Sequence, residues 1–179
     1  MANSEALLLL QDIRATALAN AAPLPTEQAA NIEWQGLGFQ IGGVRVVCSM
    51  EEVSEVMNLP RTTPLPVVRH WVLGVANVRG RLVPIIDLHR FLGLQPTRPR
   101  PDWRVVVVED DDLVAGFVIE QSLGIQHLPD ESFSEAPEEE VAEALRPFVT
   151  GMYAHTGRVF FEFALRSVLR AETFFDVSA

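Results

Sequence analysis

Two stretches of this chain repeat one pattern: a strand, a tight glycine turn, a second apolar strand and a short helix. Gly74 to Leu94 reads GVANVRGRLVPIIDLHRFLGL, and Gly151 to Leu169 reads GMYAHTGRVFFEFALRSVL. Aligned without a gap, Gly74 falls on Gly151, Gly80 on Gly157, Arg81 on Arg158, Leu88 on Leu165 and Leu92 on Leu169. The likeness extends upstream, where EEVSEVMNLP (Glu51 to Pro60) and EQSLGIQHLP (Glu120 to Pro129) space their apolar residues alike before a Leu-Pro. A supersecondary unit duplicated within 179 residues predicts two related lobes packed together, an architecture that presents surfaces and needs no reaction centre.

Local signals fill in the unit. Gly42-Gly43 joins two strand-like runs, Trp34 to Ile41 and Val44 to Cys48, and Met50 to Val53 suits one helical turn. A two-residue loop at Gly80-Arg81 would pair Arg79 with Leu82, Asn77 with Pro84 and Val75 with Ile86. That register puts Ala76, Val78, Val83 and Ile85 on the core side and points Asn77 and Arg79 away from it. Asp87 stands where an N-cap belongs and Gly93 where a left-handed C-terminal residue belongs, bracketing a helix Leu88 to Leu92. Further strands are expected at Arg104 to Glu109, Leu113 to Glu120 and Gly124 to Leu128, and a modest helix around Glu138 to Leu145. Many short strands with closely spaced turns make the chain mainly β and favour two small barrels over a sandwich or a parallel sheet.

Residues 1–31 read differently. Ser4 to Asn20 has helical spacing of apolar residues, and Pro23 and Pro25 make the following segment a linker, so an N-terminal helical arm precedes a main body of residues 32–179. Leu7 to Leu10 is too short for a membrane span and lacks a preceding basic region, which leaves a soluble cytoplasmic chain as the expectation.

Composition removes several functions. A net charge of -10 repels phosphate backbones and anionic lipid, so neither nucleic acid nor direct membrane insertion is expected. All 14 basic residues are arginine, which excludes a Schiff-base lysine and the phosphate loop that ends in lysine. Cys48 has no second cysteine to pair with and lies in an apolar run, as a small buried hydrophobe would. Asp87, His89 and His70 are the material for a metal-dependent hydrolase, but Asp87 has a capping role and no tight two-histidine motif is present, so no metal and no cofactor is expected. The acidic Asp130 to Glu143 stretch lacks a calcium-loop pattern and reads as a solvated loop and helix face.

Within Gly74 to Leu94, the residues Asn77, Val78, Arg79, Gly80, Val83, Pro84, Asp87 and Leu88 resemble the signature of the CheW family, the adaptors of bacterial chemosensory arrays. The resemblance runs from about Trp34 to Arg170. It implies two five-stranded barrels sharing a hydrophobic core, and a non-catalytic role bridging the cytoplasmic tip of a methyl-accepting chemoreceptor to the regulatory domain of a CheA-type histidine kinase. The leading arm and the second copy are more similar to the branch serving the twitching-motility system that controls type IV pili, with a general flagellar chemotaxis adaptor as the alternative. Glu162 and Ala164 depart from the aliphatic and acidic residues usual in the family.

Arg79 is the sharpest candidate for partner binding. Its guanidinium can fork onto a carboxylate or carbonyls as lysine cannot, and the second copy has Thr156 in its place, so the fold does not require arginine there. Asn77 shares its strand. Val53, Glu55 and Val56 match the family's partner-facing edge; Glu55 would tune orientation and on-rate, while Val56 reads as core more than interface. Gly74, Gly80, Pro84, Asp87 and Gly157 are assigned to architecture: the turn glycines permit positive φ, Pro84 signals an edge or bulge, and Asp87 caps. An exposed valine-rich edge strand suits pairing with a similar barrel edge of the kinase, or weak self-association.

Overall fold

The computed structural model describes residues 33–178; the N-terminal arm expected over 1–31 lies outside them. The strands are β1 (Glu33–Ile41), β2 (Val44–Ser49), β3 (Val53–Asn58), β4 (Val72–Val78), β5 (Arg81–Asp87), β6 (Arg104–Asp110), β7 (Leu113–Ile119), β8 (Gln121–Pro129), β9 (Phe133–Ser134), β10 (Val149–His155) and β11 (Arg158–Phe163). Helices α1 (Leu88–Phe91), α2 (Leu165–Arg170) and α3 (Glu172–Phe175) are short. One sheet has the order β3-β6-β7-β5-β4 and the other β8-β1-β2-β11-β10-β9, in which β9 is a two-residue addition to five principal strands. The fold is mainly β, with two lobes of five main strands, as the sequence predicts.

Three apolar clusters explain why the strands read as unbroken hydrophobic runs. Val105, Val107 and Val118 point into the five-stranded lobe with Ala76, Val78, Val83 and Ile85. The alternate residues Val106, Val108, Phe117 and Ile119 turn outward into a larger core shared by both lobes, where they meet Phe39, Ile41, Val46, Cys48 and Phe163. Val47, Tyr153 and Phe160 fill the six-stranded lobe. Because strand side chains alternate, a strand between two cores must be apolar at every position. Cys48 belongs to the shared core; burial, reinforced by the Glu52 charge, pushes its thiol far up and leaves it inert.

The lobes are not the two sequence copies. Hairpin β6–β7, from the second copy, sits in the sheet of β3, β4 and β5, while β1–β2, from the first, pairs with β8 and lies parallel to β11. Each copy thus lends its opening hairpin to the other lobe. The crossings are short: the 3-10 turn Met50–Glu52 carries the chain from β2 to β3, and Glu120 alone separates β7 from β8.

The key hairpin forms with its loop one residue earlier than expected. Val78 pairs with Arg81, Asn77 with Leu82 and Val75 with Pro84, so the loop is Arg79-Gly80. Both loop residues have positive φ, 50° and 85°, and Asn77 Oδ1 accepts the Gly80 N–H at 2.8 Å. A two-residue loop with left-handed angles throughout matches strand twist better than one centred on Gly80-Arg81. The second copy repeats it with Thr156 and Gly157 at 49° and 72°. The inward face is unchanged by the correction, because the register moved by two residues.

Pro84 does not mark an outer strand, since β5 lies between β7 and β4. The ladder to β7 begins only at Ile85, and Val75, opposite Pro84, exchanges its bonds with Thr63 instead (2.8 and 2.9 Å), so the missing proline donor costs nothing. Asp87 does cap α1, its Oδ1 accepting the Arg90 N–H at 3.2 Å. Ala164 has no such oxygen at the start of α2; there Glu52 reaches across from the β2–β3 crossing to accept the Leu165 N–H at 2.8 Å. The helix expected over Glu138 to Leu145 is replaced by turns and a 3-10 segment, Glu143–Phe148. Pro147, which has no donor and whose ring would clash with the carbonyl of Glu143, disfavours α-helix at the end of that segment.

Arg170 at the end of α2 grips Asp110, the last residue of β6, through two bonds, 2.5 and 2.7 Å. The bond to Arg170 holds the Asp110 carboxyl below the ordinary carboxylate range. A carboxylate with a depressed folded pKa adds stability that is complete above its unfolded pKa and is lost as pH falls through the folded one. Arg170→Gln is therefore expected to lower the urea midpoint near neutral pH, with the gap to the native protein closing as pH falls below the ordinary carboxylate range. A gap independent of pH would refute the electrostatic origin.

Candidate partner-binding surface

The Arg79-Gly80 loop projects Arg79 outward, its side chain 77% exposed. Its Nε nevertheless contacts Glu55 Oε2 of β3 at 2.8 Å. Strands β3 and β4 are the two ends of the sheet order, so this contact requires the sheet to curl until its ends come within side-chain reach, with Met57 of β3 and Leu73 of β4 packing on one apolar cluster. Glu55, only 22% exposed, fixes the guanidinium, and the two Nη groups have no ion-pair partner among the described residues. A fork anchored at one nitrogen and open at the others is pre-oriented to bind a carboxylate or carbonyl edge with little rotamer entropy left to lose.

The other predicted residues separate into two groups. Asn77 is exposed, but its oxygen is committed to the loop, leaving its amide nitrogen for any outside contact. Val53 is half-buried against the shared core. Val56 does not join the core: it is 38% exposed, because β3 alternates and a bulge between Val53 and Glu55 resets which side chains turn outward. Val56 and Asn58 line a hollow of about 540 Å³ with Arg104 of β6 and Ser122 of β8. Arg79, Glu55 and Asn77 thus form one cluster, while Val56 faces a different depression, which Ser122 of the six-stranded lobe also lines. Sequence reading missed Leu82, 72% exposed and directly across from Asn77. The signal was present in the hairpin, since either register places Leu82 on the outward face with Asn77 and Arg79.

The residues of the metal alternative do not converge on an ion. His89 is buried, with Nδ1 3.3 Å from Asp87 Oδ1 and Nε2 3.3 Å from Glu120 Oε1, and it stacks on Trp103. Carboxylates only accept, so each ring nitrogen faces an acceptor, and neither has another hydrogen-bond partner. Burial would raise the Asp87 carboxyl, but the bonds and charges of His89 and Arg90 outweigh it and hold it low. His70 is exposed, and its carbonyl accepts from Arg90 at 3.1 Å. Among the described residues no group of three His, Cys, Asp or Glu side chains is placed to hold a metal. No helix among them is long and apolar enough to cross a membrane.

With two interleaved lobes and a shared core established, comparison with known proteins becomes decisive. The model of the CheW-like domain matches residues 35–173. This chain belongs to that family. Protein PilI of Pseudomonas aeruginosa is 43% identical over 171 residues, covering 95% of this chain and 94% of its own. Protein FrzA of Myxococcus xanthus is 35% identical over 51% of this chain and 57% of its own length, and the chemotaxis protein CheW of Thermotoga maritima 29% identical over 52% and 61%. The crystal structure of the scaffolding protein TtCheW from Thermoanaerobacter tengcongensis superposes with a TM-score of 0.68 at 20% identity, covering 79% of this chain and 95% of that one, which places the CheW-like fold here independently of close sequence likeness.

Proposed function

We propose that this CheW-like protein is a non-catalytic cytoplasmic adaptor that couples a chemoreceptor to a CheA-type histidine kinase in the chemosensory array governing type IV pilus twitching motility. The observation that carries the pathway is the end-to-end match to Protein PilI, whereas the chemotaxis CheW of Thermotoga maritima aligns over only about half of the chain. A general flagellar adaptor is therefore the second reading. The adaptor works by contact: two rigid lobes hold receptor tip and kinase regulatory domain in fixed geometry, so receptor state alters kinase activity without chemistry in the adaptor itself.

Arg79 is the central partner contact, oriented by Glu55, with Leu82 and Asn77 beside it and Val53 and Val56 contributing apolar area along β3. Apolar burial supplies most of the affinity and the arginine fork sets orientation. Retention of a CheA-type kinase encoded with pilus genes on the immobilised full chain tests the function, and retention of a flagellar kinase instead would replace it with the second reading. Arg79→Ala is expected to keep the native unfolding midpoint, because Thr156 occupies the same backbone position in the other lobe, and to weaken receptor or kinase capture by about tenfold or more. Capture unchanged by Arg79→Ala and Arg79→Glu alike would remove this residue from the interface.

A further inference from the structure

The two lobes carry matching arginines at the start of matching strands, and only one has a counter-ion. In the five-stranded lobe Arg81, first residue of β5, contacts Glu109 Oε1 at 2.9 Å. Arg158, first residue of β11, is its equivalent in the other lobe. Hairpin pairing identifies the residue matching Glu109: Glu109 sits across from Val114 in β6–β7, and Gln40 sits across from Arg45 in β1–β2, each one step before the pair that closes its hairpin. The carboxylate of one lobe is thus a neutral amide in the other, and an apolar valine has become a second arginine.

These substitutions gather at one place. Arg45, Arg158 and Arg98 line a cup of about 270 Å³ with Gln40 and Gln126, and Phe160 and Leu123, which also belong to the lobe's apolar interior, form its floor. Arg45 and Arg158 lie two residues from the inward-facing Val47 and Phe160, so strand alternation turns both toward the mouth of the lobe. None of the three arginines forms an ion pair among the described residues. The neighbouring carboxylate, buried Glu120, is already engaged by the Gly42 N–H, the Thr97 N–H and the Thr97 hydroxyl at 2.6 to 2.9 Å. In a chain of net charge -10, three cations facing one cup without an anion call for one from outside.

We propose that the mouth of the six-stranded lobe is a binding site for an external carboxylate, which takes the place that Glu109 fills in the twin lobe. A free dicarboxylate and an acidic side chain of a partner present the same chemistry to this cup. The test uses the 15N-labelled full chain, following backbone and arginine Nε–Hε signals at low ionic strength while adding succinate, inorganic phosphate or acetylated, amidated tetraglutamate, each against sodium chloride of matched ionic strength. Saturable shifts at Arg45, Arg98 and Arg158 with succinate or the peptide are expected, and the tighter of the two identifies the source. Arg158→Gln should weaken binding by about tenfold or more. Gln40→Glu, which installs the counter-ion internally as in the other lobe, should fold normally by circular dichroism and lose binding to a similar degree. The proposal is overturned if neither carboxylate produces saturable shifts, if phosphate alone binds, or if folded Gln40→Glu binds as the native chain does.

Discussion

Gly74→Ala is expected to remove about 3–5 kcal/mol of stability, read as a fall in the urea midpoint at unchanged slope. A Cβ at this position would lie 2.2 Å from the Thr63 carbonyl oxygen, and φ is +129°. Relief is blocked on both sides. Thr63 is held against Val75 by a reciprocal pair of backbone bonds, and Gly74 itself sits at the bulge where β4 changes register against β5. Gly80→Ala is the control: its φ is +85°, yet nothing lies within 4 Å of the added carbon, so only backbone strain remains, about 1–2 kcal/mol. Equal losses for the two variants would mean that backbone angle, and not the close approach of Thr63, makes Gly74 necessary. The aligned Gly151 meets a different obstacle, the Phe133 ring at 2.3 Å, so the repeat keeps glycine at both places for space although the neighbours differ.

The second large effect is expected at His89. Replacing it by leucine puts an apolar side chain that donates nothing between the buried Asp87 and Glu120 carboxylates, and leaving buried polar groups short of a partner costs roughly 1–3 kcal/mol. His89→Gln, whose amide can donate to one side, should recover part of the loss. The consequence reaches across the lobes: Glu120 also receives the Gly42 and Thr97 N–H groups, so hydrogen exchange at Gly42, far from residue 89 in sequence, should accelerate in the leucine variant. A leucine variant as stable as the native chain would show that the three buried groups are independently satisfied.

How much of this was legible beforehand depends on the range of the interaction. The Asp87 cap, the Gly42-Gly43 hairpin and the inward face of β4–β5 follow from signals within a few residues, and all are present in the structure. The loop position was misplaced because Arg79 takes a left-handed angle that non-glycine residues seldom adopt, a choice fixed by the strands on either side. Val56 looked like core because an apolar residue in a valine-rich strand has no local mark of its direction; the bulge after Val53 decides it. The Arg79–Glu55 contact joins opposite ends of a sheet order and so could not be inferred from either segment alone.

By itself the sequence determined the strands, the duplication and the apolar alternation, since these depend on backbone angles and side-chain periodicity of neighbouring residues. Only the tertiary structure decided that the duplicated copies exchange hairpins, that Glu52 replaces the cap missing at Ala164, and that Gln40 leaves Arg158 without the carboxylate its twin enjoys. Each of those joins residues dozens of positions apart, and a chain encodes such contacts only through the shared core that β2, β6, β7 and β11 close between the lobes. Burying both faces of those strands removes apolar surface that either copy folded alone would leave in water, and that is the physical reason the lobes interleave.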